Sequence, residues 1–141
     1  MQRGRRIAFD YGDARIGVAV SDPDSILASP LTTLASGDRK LERAIAEILA
    51  EYEPVAIYVG KPTNMDGSLG IAVDKSTAFC AMLATISSVP IIEIDERLST
   101  VTAAKGLKQS GVSVKDAKKH IDEMAAVAIL EFAIAIEKSQ S

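Results

Sequence analysis

The chain has 141 residues, of which 48% are apolar and 25% charged, a composition that predicts one globular domain spanning residues 1–141 with a sizeable buried core. Sixteen basic against 19 acidic side chains leave a net charge of −3, which counts against a protein that coats nucleic acid by bulk electrostatics. No apolar run reaches the ~18 residues of a membrane span, and the single cysteine, Cys80, excludes both an internal disulfide and a CxxC zinc site.

In chain order, Ile7-Ala8-Phe9 is a short apolar run that ends in Asp10. Gly12 then makes a turn, and Ile16, Val18 and Val20 alternate with Gly17 and Ala19. This predicts a β-hairpin with a carboxylate where the first strand leaves the sheet and a glycine beside it that admits a ligand's phosphate. Ser21 to Ser25 is a turn by its Pro and Asp content. Ile26 to Leu34 follows as a third strand, with Pro30 marking an edge or a bulge.

Asp38 is placed to cap a helix in which Leu41, Ala44, Ile45, Ile48, Leu49 and Tyr52 form a complete amphipathic stripe, stopped by Pro54. Val55 to Val59 reads as a strand covered on both faces. Residues 60–68 are a loop that includes the turn Asp66-Gly67, and Ala72, Val73, Phe79, Cys80, Leu83 and Ile86 repeat on a second helix. Val89 to Ile94 reads as another buried strand, ending in Asp95-Glu96-Arg97. A helix capped by Ser99 runs to about Gln109. After Gly111, Ser113 and Asp116 open a last helix that is apolar almost all round, which predicts burial in the fold or cover by another subunit. The order βββ-α-β-α-β-α-α predicts a mixed sheet with helices on both faces.

Ligands of such sheets bind beyond the carboxyl ends of the strands. Asp10, Gly60-Lys61-Pro62 and Asp95-Glu96 all fall there, and Asp122 borders the buried face of the last helix. Converging carboxylates near a core repel one another, and Mg²⁺ is the usual remedy. Two such ions about 4 Å apart serve an in-line phosphodiester displacement. The spacing equally allows a plain reading: Asp10 as a turn former, Asp95 or Glu96 paired with Arg97, and Asp122 capping or bridged to Lys118 or Lys119.

Four segments bear on that choice: Asp10-Tyr-Gly with Arg15-Ile-Gly-Val-Ala; Gly60-Lys-Pro-Thr-Asn-Met-Asp-Gly-Ser; Asp95-Glu-Arg-Leu-Ser-Thr; and Asp122-Glu-Met-Ala-Ala-Val-Ala-Ile-Leu. In this order and at these distances they resemble the YqgF (RuvX) family over almost the whole chain. The resemblance implies a ribonuclease H-like fold, in which a three-strand meander and then alternating α/β elements build a mixed five-stranded sheet. It implies a hydrolase dependent on Mg²⁺ or Mn²⁺ that matures the 5′ end of precursor 16S ribosomal RNA, with Holliday-junction cleavage as the alternative. It also implies the catalytic set Asp10, Glu96 and Asp122, with Asp10, Asp95 or Glu96, and Asp122 as the metal carboxylates. Related resolvases carry an acid after the fourth strand, where this chain has Gly60-Lys61-Pro62. Thr63 stands where Leu is common.

Around that centre, Lys61 on the rim and Arg15 after the hairpin turn are placed to meet substrate phosphates. Arg97 either holds phosphate or orients Asp95 and Glu96. Three basic clusters (Arg3, Arg5 and Arg6; Arg39, Lys40 and Arg43; Lys115, Lys118 and Lys119) each read as a solvated face, and the last, just before Asp122, is also placed to meet the substrate backbone. His120 reads as a surface residue and Cys80 as a core filler. The partners expected are precursor rRNA or branched DNA, in the cytoplasm and away from membranes. A junction resolvase needs a two-fold dimer, whereas an RNA trimmer can act as a monomer. Two rival classes share the hairpin. An actin-like ATPase needs a second lobe for which there is no room, and an idle RNA-binding module gains nothing from clustered acids facing phosphates.

Overall fold

The computed structural model describes residues 2–61, 71–95 and 114–140. Its elements are β1 (Arg6–Tyr11), β2 (Arg15–Ser21), β3 (Ala28–Ala35), α1 (Leu41–Tyr52), β4 (Ala56–Lys61), α2 (Ile71–Ile86), β5 (Ile91–Asp95) and α3 (Val114–Gln140). The strands form one sheet in the order β3-β2-β1-β4-β5. The meander β1-β2-β3 is antiparallel, and β4 joins β1 in parallel, as β5 joins β4. The mixed five-stranded sheet expected from the sequence is therefore present. The helix expected over 99–109, the loop beyond Lys61 and the Asp66-Gly67 turn lie outside the described residues.

Pleat alternation divides the core in two. Ile7, Phe9, Ile16, Val18, Val20, Ile57 and Val59 pack against α1 and α2, with Ile45, Leu49, Phe79 and Leu83 buried between the layers. Ala8, Ala19, Tyr58 and Ile94 face α3, which buries Ala126, Val127, Ile129, Leu130, Ala133 and Ile134 against them. The two faces differ in side-chain size. Large β-branched residues meet α1 and α2, whereas alanines and glycines lie under α3 and let its backbone come close. The β4 run is buried on both faces, as its unbroken apolar pattern implies. Among the described residues no helix is long and apolar enough to cross a membrane.

Several expectations need correction. The third strand begins at Ala28 rather than Ile26, because the Asp22 carboxylate accepts the N–H groups of Asp24, Ile26 and Leu27 and keeps the turn going. The Leu27 N–H first, and then those of Ile26 and Asp24, hold this carboxyl below its ordinary value. Pro30 does sit on an edge strand, beside a register shift between Val18 and Ala19. Asp38 does not cap α1. The N-cap is Lys40, and Asp38 instead accepts the Lys40 N–H in a local turn. Residues 89–94 are not a fully buried strand: among the described residues β5 lies at the sheet edge with Ile92 and Glu93 exposed, Val89 and Ile91 partly covered and Ile94 buried. Cys80 is a half-buried residue at the rim of the core rather than its filler.

Burial pushes the Cys80 thiol up to about 11, and the neighbouring Glu93 carboxylate adds to the effect. At mildly alkaline pH its thiolate fraction is then about a hundredfold below that of an ordinary thiol. Alkylation by iodoacetamide at pH 8, followed by mass spectrometry, is expected to be correspondingly slow in the folded protein and fast in urea.

The N-terminal arginines are fasteners rather than a solvated face. Arg6 is fully buried, and all five of its N–H donors are used. Nε and Nη2 grip the two oxygens of Glu137 at 2.9 and 3.0 Å, while the remaining bonds go to Gly4 O, Gln2 O and Ser25 Oγ. Arg3 pairs with Asp24, and Arg5 bonds Ser21 O and lies over the Tyr52 ring. Glu137→Gln leaves the Arg6 charge without its counter-ion. Because Glu137 is partly exposed, the expected loss is about 2 kcal/mol, below the full cost of breaking a buried pair, measured by urea unfolding.

Candidate functional site

The site is built where β1 ends. Asp10 follows Ala8 on the face covered by α3, and its Oδ1 is buried. Its register partners are Gly17 on β2 and Gly60 on β4, so glycine flanks the carboxylate on both neighbouring strands. A Cβ at Gly60 would overlap Ile129 Cδ1 and stand 3.6 Å from Asp10 Oδ1. A Cβ at Gly17 would clash with the Asp122 carbonyl oxygen. The helix backbone at Asp122 thus rests directly on the strand beside Asp10, which is possible only because position 17 has no side chain. Sheet register and helix packing together bring Asp10 and Asp122 to one place.

Gly12 has a different reason from the one the sequence suggested. Its N–H donates to Arg15 O at 3.0 Å, and a Cβ there would lie 2.8 Å from that oxygen. The hairpin's own carbonyl requires glycine here. Two further bonds pin the turn: Ser36 Oγ donates to Gly12 O at 2.6 Å, and Lys75 Nζ on α2 pairs with Asp13 at 3.0 Å. Tyr11 and Phe9 both pack on the Phe79 ring of the same helix. No local pattern announces the Ser36 and Lys75 contacts, which join positions far apart in the chain.

The side chains of Lys118 and Lys119, offered by the spacing as partners of Asp122, lie outside what the structure describes. Asp122 Oδ2 accepts from Arg15 Nε at 2.5 Å, joining a residue expected to meet substrate to one expected to hold metal. The next residue, Glu123, is buried and accepts from Thr33 Oγ1. On β5, Ile94 shares the Asp10 face, whereas alternation puts Asp95 with Glu93 on the α2 side. Lys61 ends β4 opposite Asp95. Lys115, Lys118 and Lys119 lie in the first turns of α3, one to two turns before Asp122. Glu96 and Arg97 lie outside the described residues. Among the described residues no three His, Cys, Asp or Glu side chains converge as a metal-holding cluster. Asp10 and Asp122 supply the hard carboxylate oxygens that Mg²⁺ prefers, and a two-carboxylate set completed by water and phosphate oxygens is within its habits.

Comparison with known proteins bears on the family and the fold. The family described as "RuvX: Holliday junction resolvase" matches residues 4–135. A Streptomyces coelicolor protein named "Putative pre-16S rRNA nuclease" is 46% identical over 140 residues, 98% of this chain and 84% of its own length. Among solved structures, the Thermus thermophilus RuvC in complex with Holliday junction substrate superposes with a TM-score of 0.60 at 13% identity, covering 95% of this chain and 96% of that one. The yeast mitochondrial Holliday junction resolvase Ydc2 does so at 0.51 and 10% identity, covering 92% and 77%. At these identities the two structures speak to the fold, which is ribonuclease H-like. With a family match over nearly its full length and a relative at 46% identity, the chain belongs to the RuvX (YqgF) family.

Proposed function

We propose that this protein is a Mg²⁺-dependent nuclease that hydrolyses phosphodiester bonds in precursor 16S rRNA and matures its 5′ end. The observation that supports the reading is the seating of the Asp122 backbone on Gly17, the strand partner of Asp10, on the sheet face that α3 covers. In this reading a bound cation offsets the two acids, beside the charge that Arg15 brings to Asp122. Asp10 and Asp122 hold the ion in this reading. Glu96 is the favoured third ligand because Asp95 alternates to the opposite face of β5. A divalent ion so held activates water and neutralises charge that develops on the phosphodiester.

The remaining roles fall to this chain's basic residues. Arg15, Lys61 and Arg97 are assigned to the substrate backbone, as are Lys115, Lys118 and Lys119, which precede Asp122 on α3. The whole molecule is acidic, so binding must come from such local patches. Replacing the three α3 lysines with alanine is expected to flatten the slope of log affinity against log salt by about 2, for single-stranded RNA read by fluorescence anisotropy. An unchanged slope would assign them to a solvated face.

The test of the function is incubation of the protein with Mg²⁺ and, in parallel, a labelled precursor 16S leader RNA and a four-way DNA junction. The description of the matching family keeps the junction in view. Cleavage of the leader with the junction intact supports the rRNA reading. Symmetric nicking of the junction alone replaces it with a resolvase. Inertness toward both with every divalent ion leaves a binding module.

A further inference from the structure

We infer that Arg15 is a positioning residue that links the two halves of the reaction: it holds the Asp122 carboxylate in place through Nε and offers its Nη groups to a backbone phosphate. The inference rests on the nuclease reading above. It starts from an ion pair between opposite ends of the chain, Arg15 Nε to Asp122 Oδ2 at 2.5 Å. Arg15, Gly17 and Ala19 alternate onto the α3 face of β2. One strand therefore supplies the seat for the Asp122 peptide at Gly17 and the grip on its side chain two residues earlier.

Among the described residues the hydrogen bond between Arg15 and Asp122 runs from Nε to Oδ2, which in this inference leaves Asp122 Oδ1 to a cation and the Nη pair to a phosphate. The exposures agree, with the Arg15 side chain 44% accessible and that of Asp122 19%. A guanidinium is suited to this double duty, because its planar fork bonds in two directions at once and meets phosphate through paired N–H groups. Its charge also offsets the repulsion between Asp122 and Asp10 before any cation arrives. An ammonium on a flexible stem presents one charged point and cannot face both ways.

The experiment measures two quantities on wild type, Arg15→Ala and Arg15→Lys: the Mg²⁺ dissociation constant by calorimetry without nucleic acid, and KM on the precursor leader RNA. Arg15→Ala is expected to weaken Mg²⁺ binding about tenfold, the lower range for loss of a residue that orients a metal ligand. The same variant is expected to raise KM about tenfold for the lost charged hydrogen bonds. Arg15→Lys is expected to recover at most one of the two losses. Unchanged or tighter Mg²⁺ binding in Arg15→Ala, whatever happens to KM, would overturn the inference while leaving the nuclease reading in place. So would an unchanged KM, or full recovery of both by lysine, which also decides the matter should the alanine variant fail to fold. Wild-type protein that neither binds Mg²⁺ nor cleaves removes the nuclease reading and the inference together.

Discussion

Asp10→Asn is expected to abolish Mg²⁺-dependent cleavage, a fall of about 10³-fold or more, while the folded state is kept. The magnitude follows from the several kcal/mol that metal-held charge contributes to such a reaction, each 1.4 kcal/mol being tenfold. Asparagine keeps the size and shape of the side chain and removes the charge that holds the ion. The stability side of the prediction is as informative as the activity side. Asp10 lies beside Gly17, on which the Asp122 backbone rests, so the nuclease reading puts two carboxylates near one another in the metal-free protein. Removing one of them should leave the melting temperature in EDTA equal to wild type or higher. A purely structural Asp10 predicts the reverse pattern, with lower stability and retained cleavage, and that result would end the metal-site assignment. Asp122→Asn should lose activity likewise. It also surrenders the charge that Arg15 pairs with, so its melting temperature should not rise.

Gly17→Ala is expected to be the most damaging single-methyl change in the sheet. The new Cβ would clash with the Asp122 carbonyl oxygen, 1.9 Å away, and press on the Glu123 nitrogen, 3.0 Å away. These are backbone atoms of a helix whose neighbouring turns are locked by Ala125, Ala126 and Ile129 in the core. They cannot swing aside as a side-chain tip can. α3 must lift or slide, at a cost of about 3 kcal/mol, the upper range for overpacking a well-filled core. The displacement carries Asp122 away from Asp10, so cleavage should fall by about a hundredfold even at a temperature where the variant is fully folded, in keeping with the sensitivity of such sites to ångström misplacement. Urea unfolding and single-turnover cleavage measured on the same preparation separate the two effects. Wild-type stability with wild-type activity would mean that α3 does not rest on β2 as described.

Most of the secondary structure was legible because it is written in local periodicity. A short apolar run marks β1, period-two alternation marks β2, the stripe from Leu41 to Tyr52 marks α1, and the unbroken apolar run at 55–59 marks a strand buried on both faces. Asp10 was legible for the same reason: a carboxylate at the end of an apolar strand is a local anomaly. Its company was not. The chain alone left Asp122 with Lys118 or Lys119 as neighbours, because helical spacing is the only proximity a single sequence displays. Arg15 comes to Asp122 through sheet register and the close approach of α3 at Gly17. Arg6 shows the same limit from the other side. Arg3, Arg5 and Arg6 look alike as a basic cluster, and only the folding of α3 back over β1 supplies Glu137 and turns one of them into a buried, fully bonded anchor. The edge position of β5 is likewise a property of strand order and not of its Val and Ile content. Sequence by itself determined which segments become strands and helices, and where a carboxylate stands out, since both depend on residues a few positions apart. Tertiary structure decided which charges meet, because ion pairing and close backbone approach join residues that only the packing of α3 on the sheet brings within reach.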